Sequence, residues 1–347
     1  MQPYSTRLPD GTDLDVYLPH EIYPSVAKTD PESWCLSSEQ LEADLGLGTV
    51  LREWSRHQDV QFDGDLTKVA ILGFHADGVQ YTSSLRAGSG RSMLVASLNV
   101  VSGKEDGIRA RRFPLFVLGK GRMCKCGCNG YHTTQAIFEV QAWSFRCLHT
   151  GLAPSTRHDA SPFTTFDEHV RTMPATVLPP ATLLPLRGAW VGLVSFFRLR
   201  WYTSNLFCFL CNSTLESGPL CYKNISEQAP HRATRFGHQA YLESCAGDHQ
   251  QPCVLFKSPG LTMQHLCIDS MHSADLGCFA DALGSLLHLE VGNQQWYPSR
   301  ERERERERYV CVEHSSPRSL QTHPCLVHTS DAADEDDRIE RCASSTD

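Results

Sequence analysis

The sequence shows no recognisable secretory signal. Its opening stretch, MQPYSTRLPDGTDLDVYLP, is polar throughout and lacks the basic and apolar segments that export requires. It also lacks an apolar run long enough to cross a bilayer. The most apolar run, Ala189 to Phe197, is followed by Arg198 and Arg200; it falls well short of the roughly 20 residues a spanning helix needs and reads as a core helix. Membrane-spanning and secreted classes are therefore not expected. A general excess of positive charge is missing too, since 32 Lys and Arg stand against 40 Asp and Glu, a formal net charge of −8. That balance argues against a uniformly basic nucleic-acid binder, but the charge is uneven. Residues 301–347 carry twelve acids and seven arginines, whereas Lys104 to Arg146 carries eight bases and three acids. A local basic stretch matters more for phosphate contact than the global sum.

Cysteine is abundant, with 15 in 347 residues. Without an export signal, closely spaced cysteines point to metal rather than to disulfides. In Cys208-Phe-Leu-Cys211 two thiolates can share one tetrahedral Zn²⁺, which then needs two further ligands; the alternative is a pair of buried free thiols. A redox role would need a thioredoxin-like βαβ setting, which is not seen around this pair. Cys124-Lys-Cys126-Gly-Cys128, with His132 downstream, is denser. Thiols at alternate positions can meet at one Zn²⁺ only across a tight turn, which Gly127 and Gly130 allow. Neighbouring Lys120, Arg122 and Lys125 favour thiolate and also phosphate contact. No surrounding sequence supports a cysteine-protease reading.

The pattern along the chain suggests three parts. Residues 1–65 are polar, with one expected helix over Ser38 to His57 opened by a capping-box-like SSEQ. Three strand-like runs follow, Thr67 to His75, Ser92 to Val101 and Phe113 to Leu118, separated by turns as in an antiparallel meander. Apolar residues Ile137, Val140, Phe145 and Leu148 predict a helix over Thr133 to Thr150 that stops at Gly151. Residues 171–187 are rich in proline and read as a crossing loop, followed by a helix from about Arg187 to Tyr202. Residues 212–260 read as loop-rich. His265 to Ile268 reads as a buried strand, and a helix carrying Leu276, Phe279, Leu283 and Leu287 is expected after it. Residues 296–347 form a low-complexity tail, expected to be disordered or artefactual. It contains the dipeptide repeat of Arg300 to Arg308, and Cys325 to Glu335 resembles a translated adaptor.

Two carboxylates bear on function. Asp77 ends the first strong strand, where Asp-Gly would by itself suit a turn. Asp269 follows the Ile268 strand, with His272 three residues on, where capping of the next helix is the plainer role. Two carboxylates converging at one sheet edge can instead hold Mg²⁺ or Mn²⁺ ions roughly 3.5–4 Å apart for phosphoryl transfer.

Taken together, ADGV after a strand, the CxxC pair, GHQAYL, and IDSMH with ADALGSLL resemble transposases of the CACTA (En/Spm) superfamily. The similarity is discontinuous over about residues 67–290, and IDSMH is its most specific element. It implies an α/β fold, an RNase H-like mixed sheet with helices and a loop-rich, cysteine-containing insertion. The interrupted core would span residues 66–295, with a zinc module inserted at about 120–260. It implies Asp77 as the first acid, Asp269 as the second and His272 as its accompanying histidine, with Mg²⁺ or Mn²⁺ as catalytic cofactor. It nominates His238 beside Cys208 and Cys211 as a Zn²⁺ ligand, with Cys221, His231 and Cys245 open as the fourth. DNA and transposon ends are the implied partners, the nucleus the implied location, and an oligomer is compatible with it. The chain departs from the family after His272, where SADLGCF replaces the usual Lys- or Glu-bearing stretch. The family's third acid is not found; Glu290 is the only nearby carboxylate and is not assigned the role, so a catalytically incomplete fragment is expected. The competing expectations are a non-catalytic, zinc-stabilised nucleic-acid binder and a transposon relic without function.

Overall fold

The structure is a computed structural model that describes residues 2–28, 31–43, 46–60, 62–80, 92–103, 111–168, 177–188, 190–201, 204–247 and 250–268. The expected tail and the helix after His272 lie outside the described residues. The chain divides into two units, Met1–Asp77 with Met93–Cys267, and Gly78–Ser92 with Ile268–Asp347. Few residues of the second are described, so the architecture below is essentially that of the first.

The chain opens with a hairpin that sequence inspection missed. β1 (Tyr4–Arg7) pairs antiparallel with β2 (Asp13–Val16), Tyr4 opposite Val16. Its signal is in the sequence: Tyr4, Thr6, Leu14 and Val16 are buried in strict alternation. The turn is fixed by Asp10, whose Oδ1 accepts the Thr12 N–H and hydroxyl, and by Gly11 at φ +80. α1 (Pro19–Ala27) follows and packs on the long helix Tyr131–Thr150.

The single helix expected over Ser38 to His57 is two, α2 (Ser38–Glu42) and α3 (Leu47–Ser55). The capping box is present, with Ser37 as N-cap and Gln40 as its reciprocal partner. Gly46, at φ +93, turns the chain between the helices. Gly48 then lies so close that a Cβ there would sit 2.2 Å from the Gln40 carbonyl oxygen, a contact that only glycine permits. The N-terminal region contributes to the core: Leu36, Leu51, Trp54 and Val60 share one apolar cluster with Val69, Ile71 and Leu184.

A five-stranded mixed sheet forms the centre. It contains β3 (Ala70–Gln80), β4 (Ser92–Val100), β5 (Arg112–Gly119), β6 (Ala181–Gly188) and β7 (Leu266–Ile268), in the spatial order β5-β4-β3-β6-β7. β4 and β5 pair antiparallel, as the meander predicts. β3 and β6 pair parallel, which requires a crossover. The crossover contains α4 (Tyr131–Thr150), whose Ile137, Phe138, Val140, Phe145 and Leu148 are buried. It stops at Gly151, at φ +66, whose N–H returns to the Cys147 and Leu148 carbonyls.

β6 corrects the crossing loop expected over residues 171–187. Proline suggested a loop because it cannot donate to a strand ladder. The sheet accommodates Pro185 at an irregularity in the β3–β6 register, between Leu72 and Phe74. Gly73 lies opposite, and its missing side chain leaves room: a Cβ there would be 3.1 Å from the Pro185 ring. The next helix, α5 (Trp190–Phe197), is accordingly shorter than the one expected from about Arg187 to Tyr202. Residues 204–236 are loop-rich, and α6 (His238–Gly247) follows.

Candidate metal centre

The link from β5 to α4 brings Cys124, Cys126, Cys128 and His132 together, with one ligand atom from each lying within 4.8 Å of all the others. The turn demanded by alternating thiols is present. Gly127 (φ +90), Asn129 (φ +55) and Gly130 (φ +78) all occupy left-handed backbone, curling the chain so that three sulfurs face one point. Its exit is held where the Cys124 N–H donates to Thr133 Oγ1 at 2.9 Å.

His132 Nδ1 is 3.3 Å from Cys126 Sγ and 3.7 Å from Cys124 Sγ. Ligands bound to tetrahedral Zn²⁺ at about 2.3 Å (S) and about 2.0 Å (N) are separated by about 3.5 Å. The observed spacings bracket that edge, so this Cys₃His group fits a metal such as zinc. A metal held here would take all four ligands from the protein, which is the closed arrangement of a structural site. Among the described residues no other set of three or more His, Cys, Asp or Glu side chains meets the same spacing.

The start of α4 shapes the thiols. α4 has no side-chain cap, and Gly130 precedes it in left-handed geometry. Burial opposes ionisation of Cys128, but backbone N–H groups of His132 and Gly130, with the neighbouring thiols, outweigh it and bring its pKa below the ordinary thiol value. Cys126 moves up instead, because hydrogen bonding to Cys124 and Cys128 favours its protonated form. Cys126 and His132 are exposed, and Cys124 and Cys128 are half-buried.

Cys208 and Cys211 lie on a knuckle beyond α5. The Cys208 sulfur accepts the Leu210 N–H at 3.3 Å, and burial raises its pKa. The Cys211 thiol donates to Ser213 Oγ at 3.3 Å. His238, at the start of α6, packs its ring on Phe256 at 4.9 Å and near Tyr241 at 6.1 Å. These three residues do not form a group at the spacing of the Cys124–His132 set.

A residue that sequence inspection overlooked holds this knuckle. The Arg200 guanidinium donates to the Cys208 and Cys211 carbonyls at 3.4 and 3.2 Å and to Asn212 Oδ1 at 2.9 Å. It also lies 4.3 Å over the Phe236 ring. Its only sequence signal was an arginine that interrupts an apolar run.

Asp77 lies within β3, the middle strand of the sheet, three residues before its end at Gln80. It is part of the strand and not of a turn. The backbone beside it is tightly fitted: a Cβ on Gly188 of β6 would lie 2.7 Å from the Ala76 carbonyl oxygen. Asp269, which follows β7 directly in sequence, and His272 lie outside the described residues, as does Glu290.

No protein-family model matches the chain, and no curated protein matches it. Among the described residues no helix is long and apolar enough to cross a membrane.

Proposed function

We propose that this chain is a CACTA-like transposase core that acts on DNA by phosphodiester cleavage and strand transfer, stabilised by zinc at Cys124, Cys126, Cys128 and His132. The observation that carries the catalytic half is Asp77 near the C-terminal end of the central strand. That strand pairs in parallel with β6 and belongs to the same sheet as β7, the strand immediately preceding Asp269 in sequence. A meander whose first strand stays central, followed by a helical crossover returning parallel to it, is consistent with an RNase H-like core.

In this reading Asp77 and Asp269 are the oxygen ligands for Mg²⁺ or Mn²⁺, which supply an activated water or 3′-hydroxyl and charge stabilisation at the leaving oxygen. Asp77 fits the role chemically, as a half-buried hard-oxygen donor on the central strand. His272 orients Asp269 or contacts the scissile phosphate. Cys208 and Cys211 belong to the loop-rich insertion, and His238 does not share their spacing. DNA, including transposon ends, is the partner, and the nucleus the site of action. With no assigned third acid, turnover is expected to be weak.

The second reading is a non-catalytic, zinc-stabilised nucleic-acid binder. It is favoured by the position of the Cys₃His group, whose turn carries exposed Lys125 and follows Lys120 and Arg122. The two readings separate in a nicking assay with Mg²⁺ on supercoiled DNA. Cleavage lost in both Asp77→Asn and Asp269→Asn supports the transposase. DNA binding without any cleavage, unchanged by either substitution, supports the binder.

A further inference from the structure

We propose that the Cys124–His132 centre is an oxidation-labile metal site, in which a peroxide converts two of its thiolates into a disulfide and releases the metal. The inference rests on the reading that the group holds zinc. Three observations carry it beyond that reading. Cys126 and His132 are exposed, so half of the ligand set is open to solvent. The Cys126 sulfur has both a Cys124 and a Cys128 sulfur within 4.8 Å, so a resolving thiolate stands on either side of the most accessible one. The turn that carries them has left-handed backbone at residues 127, 129 and 130 and no regular secondary structure, so it can rearrange without breaking a strand or helix.

The second cysteine pair is built differently. Cys208 and Cys211 are half-buried, their turn is clamped by Arg200, and among the described residues no third ligand shares their spacing. Oxidation selects the more exposed sulfur, and Cys126 is exposed where Cys208 and Cys211 are half-buried, which favours the first centre.

The chemistry balances with hydrogen peroxide as the oxidant. The Cys126 thiolate attacks one peroxide oxygen; an S–O bond forms, the O–O bond breaks, and hydroxide leaves and is protonated to water. A flanking Cys124 or Cys128 thiolate then attacks the sulfenic sulfur; an S–S bond forms, the S–O bond breaks, and a second water results after protonation. Two sulfurs together lose two electrons and the peroxide gains them. One thiolate and one imidazole remain, too few to retain the ion in competition with a chelator. A thiol reductant reverses the disulfide by exchange and restores the four ligands.

The test uses the full chain, purified reduced and loaded with zinc, treated with hydrogen peroxide in the presence of a chromophoric zinc chelator. Peptide mapping then identifies the oxidised cysteines. The expected result is release of the zinc held by this centre, a disulfide within Cys124, Cys126 and Cys128, and rebinding after reduction. Release persisting in the Cys208→Ser/Cys211→Ser variant assigns it to this centre; its disappearance there overturns the proposal. Zinc retained while other thiols oxidise also overturns it and leaves the zinc reading standing. A reduced protein that binds no zinc refutes both. Mapping to sulfinic acid without a disulfide rejects the reversible scheme.

Discussion

Acidification should loosen the seam around His265 by a calculable amount. This histidine ends the short turn Met263–His265, and its Nδ1 accepts the Thr262 N–H at 3.0 Å, so that nitrogen carries no proton in the folded chain. Burial pushes its pKa down to about 4 from 6.5, and the nearby His57 and His238 push the same way. The unfolded chain therefore binds a proton at higher pH than the folded one does. The stability this group contributes is complete above about pH 6.5 and falls as pH drops toward 4. From the two pKa values the loss between pH 7.5 and pH 5 is about 2 kcal/mol, approaching about 3 kcal/mol below pH 4. His238 and His149, both lowered by burial, act in the same direction. Urea unfolding followed by tryptophan fluorescence suits the test, because the Trp54 indole donates to the Pro259 carbonyl beside this seam. Protonation of the Cys₃His group would add to the loss in acid if it holds a metal, so the informative quantity is a double difference against His265→Gln, which leaves that group intact. Wild type should lose about 2 kcal/mol more than His265→Gln between pH 7.5 and pH 5. Equal losses in the two proteins would show that His265 does not carry this pH dependence.

Further predictions concern packing and charge. Gly188→Ala places a methyl 2.7 Å from the Ala76 carbonyl oxygen and should cost about 1–3 kcal/mol in urea unfolding, as overpacking does. If Asp77 serves catalysis, the same change should also depress Mg²⁺-dependent nicking at temperatures where the variant remains folded. Arg157 pairs with buried Asp167 and lies 4.6 Å over the Tyr4 ring, tying the 157–167 loop to β1. Arg157→Met leaves the carboxylate buried without its cation and should cost about 3–5 kcal/mol, while Arg157→Met/Asp167→Asn should recover much of it. Differential scanning calorimetry of both variants checks the order.

Several elements were legible because their signals are local. Ser37 with Gln40, the apolar period of α4 and Gly151 each act within a few residues, and the three meander runs declared themselves by composition. The hairpin of Tyr4 to Val16 carries a local signal too, in its alternation and its Asp-Gly turn, but four-residue strands give that alternation little length in which to show. β6 was hidden for a physical reason: its Pro185 is tolerated only because Gly73, over a hundred residues earlier, lies opposite. The division of α2 from α3 depends similarly on a close approach at Gly48. The same contrast runs through the candidate site. Cys124 to His132 lie within one turn and a helix start, so their meeting was readable from spacing. Whether His238 joins Cys208 and Cys211 depends on tertiary packing, and its ring lies against Phe256 and Tyr241.

The central claim is that Cys124, Cys126, Cys128 and His132 hold one tetrahedral metal. Cobalt(II) substitution followed by absorption spectroscopy tests it most directly, because thiolate ligation in tetrahedral geometry gives intense d–d bands and sulfur-to-cobalt charge transfer. These bands should persist in Cys208→Ser/Cys211→Ser and lose the contribution of this centre in Cys124→Ser/Cys126→Ser/Cys128→Ser. An unchanged spectrum in the triple variant, or no tetrahedral thiolate signature in the wild-type chain, would contradict it.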